Sequence, residues 1–256
     1  MSAAKKLWLR RFHEGPEDGV RLICFPHAGG AASCFRQFSG DLSARLEVWS
    51  VQYPGRQDRH REEPIPDILE LARRVSDVVG ALDDRPLALF GHSMGATVAF
   101  EVARRLEAEG TPPVALFVSG RRAPSIRRPE SVRRRDDHGL IAEIKSLDGT
   151  DARLLEDDDV LQMILPALRA DYRAIDGYEY RPGAPLRVPL VALTGQDDPR
   201  TGRSDVEAWA GHTTGAFSLH VMPGGHFFLD AQHREVAEIV ADALSRTAAE
   251  PRSAAS

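Results

Sequence analysis

Leu87-Ala-Leu-Phe-Gly91-His-Ser-Met-Gly95-Ala-Thr-Val-Ala-Phe100 is the stretch that decides the fold. An apolar run that reads as a strand ends in Gly91-His92-Ser93-Met94-Gly95, and a helix-like pattern follows at once. Strand, sharp turn and helix are the context that a G-x-S-x-G nucleophile elbow requires. Such a turn lifts the Ser93 hydroxyl clear of a sheet and sets it at a helix N-terminus, where amide dipoles favour developing negative charge. Gly91 and Gly95 let strand and helix pack closely around the turn. The motif by itself also fits a glycine-flanked loop serine; the flanking strand and helix favour a nucleophile.

The same alternation extends in both directions. Upstream, Arg21–Phe25 reads as a buried strand broken by Pro26-His27-Ala28-Gly29-Gly30. A helix from Ser33 carries Phe35, Phe38 and Leu42 near one face, and Leu46–Val51 is the next strand, ending at the turn Tyr53-Pro-Gly-Arg56. Pro66-Asp67 opens a helix with Ile68, Leu71, Val75, Val78 and Val79. Leu7-Trp-Leu9 is expected to be a short edge strand. Downstream come a helix over Ala96–Leu106, strands at Pro113–Val118, Val188–Leu193 and Ala216–Val221, and a closing helix at Val236–Leu244. Strands alternating with helices predict a single α/β domain over residues 1–256, its mostly parallel sheet covered by helices on both faces. Residues from about 121 to 185 interrupt the alternation. They begin arginine-rich, hold helical stretches near Leu140–Leu147 and Val160–Tyr172, and contain no convincing buried strand. A helical lid insertion over the C-terminal edge of the sheet is the natural assignment.

Composition narrows the function classes. Hydrophobic residues make up 42% and charged residues 28%, which supports a sizeable core. A net charge of -5 argues against general nucleic-acid binding. Two cysteines, Cys24 and Cys34, provide neither a disulfide framework nor metal-ligand spacing, so no metal and no cofactor are expected. No apolar signal segment follows the short basic N-terminus and no apolar run reaches membrane length. The expectation is a soluble, cytoplasmic monomer that binds neither nucleic acid nor membrane.

A serine hydroxyl needs a base, and the base an orienting acid. Of nine histidines, His13, His60, His138, His212 and His233 lie in polar surroundings that suggest solvated surface groups, and His220 lies within a strand. His226 stands apart: it follows the last strand and a Pro223-Gly-Gly225 turn and precedes Phe227-Phe-Leu229, a loop able to project an imidazole over the sheet edge. The acid should leave a strand end before it. Leu190–Leu193 is followed by Thr194-Gly-Gln-Asp-Asp-Pro199, so Asp198 or Asp197 qualifies, and Asp198 is the better choice. The order serine, acid, histidine is that of α/β-hydrolases. Oxyanion donors are expected at the backbone N–H of Met94 and, from the Pro26–Gly30 loop, of Ala28. His27 and His92 are expected to fix their loops by hydrogen bonds, a general acid/base role being the alternative for His27.

Phe25-Pro-His-Ala-Gly-Gly30, Tyr53-Pro-Gly-Arg56, Gly91-His-Ser-Met-Gly95, Ser119-Gly-Arg-Arg-Ala-Pro124 and Pro223-Gly-Gly-His-Phe-Phe228 occur in this order. Together, from about Leu22 to Leu244, they resemble the type II thioesterases that accompany polyketide and nonribosomal peptide synthases. The resemblance implies an editing hydrolase that removes aberrant or stalled acyl units from the phosphopantetheine arm of acyl or peptidyl carrier protein domains. It places Ser93, Asp198 and His226 at the family's triad and Ala28 and Met94 at its oxyanion donors, and strengthens Asp198 over Asp197. Thr201 departs from the family, which often has a small apolar residue there; altered loop packing is the expected consequence. Small acyl thioesters are further expected substrates.

Rival classes remain at this stage. A chain-releasing thioesterase, a general carboxylesterase or an acyltransferase would use the same three residues, although releasing thioesterases are commonly fused to a synthase and this chain reads as a free-standing domain. A non-enzymatic carrier-binding module would not need all three residues intact. Seven arginines, at positions 121, 122, 127, 128, 133, 134 and 135, form either a solvated loop or a basic patch that steers an acidic carrier protein.

Overall fold

Strands β1 (Leu9–Arg10), β2 (Arg21–Phe25), β3 (Glu47–Val51), β4 (Leu87–His92), β5 (Ala115–Ser119), β6 (Leu190–Gly195) and β7 (Phe217–Met222) form one sheet in the order β1-β3-β2-β4-β5-β6-β7. The computed structural model describes residues 3–82, 85–126, 139–142 and 158–249. Every pairing is parallel except that of β1, which lies antiparallel to β3 with Leu9 opposite Val51.

Side chains that alternate along these strands feed two cores. One face carries Ile23, Phe25, Trp49, Val51, Leu89, Leu116 and Val118 against the helices Ile68–Gly80 and Met94–Ala108. The other carries Leu22, Cys24, Val48, Phe90, Phe117 and Leu193 against Phe35, Phe38 and Leu42 and the closing helix Phe228–Ala249. Parallel strands buried on both faces need such continuous apolar runs. Asp67 caps the helix Ile68–Gly80 by accepting from the Glu70 N–H at 2.9 Å.

Two boundaries differ from expectation. Leu7 and Trp8 end a short helix, Ala3–Trp8, so only Leu9 and Arg10 pair with the sheet. Ala3-Ala-Lys-Lys-Leu7 is made of strong helix formers. The closing helix starts at Phe228, well before Val236, because two helical pieces are joined across a kink at Gln232 (φ -105°, ψ 17°). Between β5 and β6 the helix Asp158–Gly177 crosses the C-terminal edge of the sheet, with Ala167, Leu168, Asp171, Tyr172, Ala174 and Ile175 buried. Arg127, Arg128, Arg133, Arg134 and Arg135 lie outside the described residues, as do His138 and Ile144.

Candidate active site

The elbow is held by contacts that admit no side chain. A Cβ at Gly91 would stand 2.2 Å from the Gly95 oxygen, and one at Gly95 would stand 2.0 Å from the Phe25 oxygen. Between them Ser93 adopts φ 54° and ψ -118°, a region that a non-glycine residue occupies at a cost of about 1–3 kcal/mol. Its N–H donates to the Ser119 oxygen at 2.8 Å, tying the turn to the end of β5.

Asp198 and His226 reach Ser93 from the loops that follow β6 and β7. His226 Nε2 lies 2.9 Å from Ser93 Oγ, and His226 Nδ1 lies 2.9 Å from Asp198 Oδ2. The two loops are packed backbone to backbone, since a Cβ at Gly195 would meet the Gly225 oxygen at 2.1 Å. Asp197 is exposed and uses its N–H to bind the Gly224 oxygen at 2.9 Å, which leaves Asp198 as the acid in contact with the imidazole.

Burial pushes the Asp198 carboxyl up; the hydrogen bonds from His226 and Thr201 and the Arg200 N–H outweigh it and hold its pKa below the ordinary value. A carboxylate can only accept, so Nδ1 of His226 carries a hydrogen toward Asp198, the arrangement that leaves Nε2 able to accept from the Ser93 hydroxyl. Thr201 does more than pack the loop. Its hydroxyl donates to Asp198 Oδ2 at 2.5 Å and lies 3.1 Å from Thr194 Oγ1, while the Arg200 N–H donates to Oδ1 at 2.8 Å.

Ala28 lines a pocket of about 30 Å³ together with Ser93, His226, Thr201, Tyr172 and Ile175. The N–H groups of Ala28 and Met94 donate to no acceptor among the described residues. A larger groove of about 660 Å³ opens at the opposite sheet edge, between Arg21, Leu87, Val114 and Val188, and is lined by no serine, histidine or carboxylate among the described residues.

The remaining histidines sort by partner. His92 Nδ1 lies 2.9 Å from Ser119 Oγ, fixing the elbow as expected. His27 makes no hydrogen bond through its ring among the described residues; it packs edge-on against Phe227 with centroids 4.8 Å apart. Burial, then the neighbouring His226 and Arg56, lower the His27 pKa to about 3, and burial beside His226 and His27 lowers that of His92 well below its ordinary value. Both rings are neutral near pH 7. His212 is a correction: it is buried, packs against Phe100, Tyr180 and Trp209, and lies 2.9 Å from Ser125 Oγ. The aromatic cage is built by residues distant in sequence, which its neighbours Gly211 and Thr213 do not announce. Cys34 is half-buried, and its surroundings, then Asp230, push its thiol pKa up, which disfavours the reactive thiolate.

Sequence reasoning missed Arg56 and Asp171, which form a buried ion pair beside this pocket. One signal was available: Asp171 sits on the apolar stripe Ala167, Leu168, Ala174 and Ile175, where a lone carboxylate must find a cation.

Sheet order, helix placement and a nucleophile elbow after β4 are those of the α/β-hydrolase fold. A profile of the thioesterase domain matches residues 20–244, and the chain belongs to that family. It is 48% identical over 250 residues to the thioesterase PikA5 of Streptomyces venezuelae, an alignment covering 96% of this chain and 88% of that protein. To the probable cadicidin biosynthesis thioesterase of Streptomyces griseus it is 51% identical over 235 residues; 90% of this chain is covered, and the chain spans 65% of that relative's length. The structure of BorB, a type II thioesterase from the borrelidin biosynthetic cluster, superposes with a TM-score of 0.87 at 46% identity, covering 93% of this chain and 98% of that one. No helix among the described residues is long and apolar enough to cross a membrane.

Proposed function

We propose that this protein is an editing type II thioesterase that hydrolyses acyl groups from the phosphopantetheine arm of carrier protein domains in polyketide or nonribosomal peptide biosynthesis. The observation that carries the reading is the continuous hydrogen-bonded chain Ser93–His226–Asp198, with 2.9 Å at each step. Similarity to a probable cadicidin biosynthesis thioesterase and to a type II thioesterase from the borrelidin biosynthetic cluster supports the choice of substrate class.

In the proposed reaction His226 Nε2 takes the Ser93 proton as Oγ attacks the thioester carbonyl. The tetrahedral oxyanion is met by the Ala28 and Met94 amides, which have no other acceptor to release. The carbon–sulfur bond breaks, the sulfur leaves as a good thiolate leaving group, and His226 Nε2 passes it the proton taken from Ser93, so the pantetheine departs as a thiol and the imidazole is again free to act as a base. Water, deprotonated by the same nitrogen, then attacks the acyl-serine and releases the free acid. Asp198 keeps the imidazole in the tautomer that both half-reactions need and stabilises its cation. The helix Asp158–Gly177 serves as the lid, with Tyr172 and Ile175 roofing the acyl position.

The test is incubation with a panel of acyl-loaded carrier proteins, with acyl loss followed by mass spectrometry. Release of free acid and regeneration of the bare phosphopantetheine arm is the expected result. A parallel oxyester assay that outpaced every thioester would turn the reading toward a carboxylesterase.

A further inference from the structure

Beside the pocket, Asp171 from the lid helix is 1% exposed and Arg56 from the Tyr53–Arg56 turn is 7% exposed. They pair as a fork: Arg56 Nη1 donates to Asp171 Oδ2 at 2.7 Å and Nη2 to Oδ1 at 2.9 Å. Neither side chain lines the pocket that holds Ser93. Both instead bind the loop that presents Ala28. The Gly29 N–H donates to Asp171 Oδ2 at 2.7 Å, and Arg56 Nη1 also donates to the Gly30 oxygen at 3.0 Å. Gly29 has φ 75°, and a Cβ there would stand 2.8 Å from Leu168 Cδ1, so the loop is pressed against the same helix that supplies Asp171.

Burying two charges is costly, and replacing such a pair with apolar groups of the same volume is often neutral or stabilising. Stability is therefore a poor account of this pair. Its extra hydrogen bonds fall on the Ala28–Gly29 and Gly30–Ala31 peptide units, the first and third after the unit that carries the Ala28 N–H. A donor that must meet an oxyanion within a few tenths of an ångström needs its peptide plane fixed before the charge develops.

We propose that Asp171 and Arg56 are positioning residues for the oxyanion site, holding the Ala28 N–H on target through Gly29 and Gly30 and binding that loop to the lid helix. The proposal rests on the reading of the Ser93 site given above. The roof over the acyl group and the donor beneath it are joined by one carboxylate, so the lid helix cannot shift without disturbing the oxyanion loop.

Asp171→Asn keeps the size of the side chain and an acceptor for Gly29 but strips the charge that faces Arg56. Arg56→Lys keeps the charge and loses the fork. Both would be assayed with an N-acetylcysteamine thioester, with active sites counted by end-point fluorophosphonate labelling so that unfolded molecules drop out. Turnover per labelled site is expected to fall about 30-fold in Asp171→Asn and about 5-fold in Arg56→Lys, below the full loss of an oxyanion donor. KM should stay within about twofold. Inhibition by a boronic acid that forms a tetrahedral adduct on Ser93 should weaken by the same factor as kcat/KM, because that contact exists only in the transition state. A purely structural pair would lower the melting temperature and leave turnover per labelled site at the wild-type value, and that result overturns the proposal. Arg56→Lys carries the test if Asp171→Asn yields no labelled protein. Failure of the wild-type chain to hydrolyse thioesters, or retained hydrolysis in Ser93→Ala, would instead count against the reading of the site.

Discussion

At the N-terminal edge of the sheet Glu47 is buried among three guanidinium groups: Arg21 at 2.7 Å, Arg85 at 2.5 Å and Arg11 at 3.2 Å. At the C-terminal edge Asp198 is buried against an imidazole and a threonine hydroxyl. Both carboxylates sit at strand ends, and both are shielded from water. They differ in what their partners can release. A guanidinium keeps its proton at any pH a protein survives, so Arg11, Arg21 and Arg85 have no proton to hand to Glu47. An imidazole can take up a proton at Nε2 and hand it on while Nδ1 stays bonded to a carboxylate, so the same burial at Asp198 serves proton transfer. The difference teaches that burial of a carboxylate says little about its role until the titratability of its partner is known.

The largest effect expected from this contrast is at Ser93. Ser93→Ala should lower turnover by about 10⁴-fold or more without lowering the melting temperature, as measured by thioester hydrolysis and calorimetry together. Asp198→Asn comes next: it should cost about 10³-fold in kcat, because His226 Nδ1 would face an amide that can present the wrong tautomer partner. Asp197→Asn, one residue away, should leave kcat unchanged.

Glu47→Gln probes the other edge. It removes the negative charge that faces buried Arg21 and should cost about 3–5 kcal/mol in urea unfolding, while turnover per labelled site stays at the wild-type level. A fall in turnover per site would break the comparison, for it would make the Glu47 cluster part of the chemistry.

The acid limb of stability follows from His27 and His92. Their folded pKa values lie below the unfolded value near 6.5, so the unfolded chain binds more protons below that pH. Stability should therefore fall as pH drops from about 6.5 toward 3, with uptake of up to about two protons on unfolding from this pair. His27→Phe should remove about one of them in a plot of unfolding free energy against pH. The smallest effect belongs to Thr201→Val, expected to lower kcat/KM about 3- to 10-fold by removing one donor of several to Asp198. An unchanged rate would mean that the Arg200 N–H and His226 suffice.

Features set by local pattern were legible before any coordinates. The strand, turn and helix around Ser93 are consecutive, and the loops bearing Asp198 and His226 each follow a strand with turn residues, so chain order nominated Ser93 and His226 and narrowed the acid to Asp197 or Asp198, with the family resemblance favouring Asp198. Asp171 and Arg56 are 115 positions apart, and no periodicity joins a turn to a helix on the far side of an insertion. His212 looked solvated because its neighbours in sequence are polar, whereas Phe100 and Tyr180 arrive from distant elements. Thr201 was visible only as a departure from a family pattern; its bond to Asp198 depends on how the loop after β6 folds back. Trp8 was assigned to a strand because its apolar run is too short for periodicity to separate helix from strand.

The backbone at Ser93 has a consequence that reaches beyond turnover. Its positive φ is comfortable only for glycine, so the position would be conformationally easier with the hydroxymethyl group deleted altogether. Selection for activity and selection for durability thus pull against each other at a single α-carbon. A descendant relieved of its chemical duty would gain robustness by giving up this residue early, and the persistence of a serine there in any lineage is a physical mark that the duty has not lapsed.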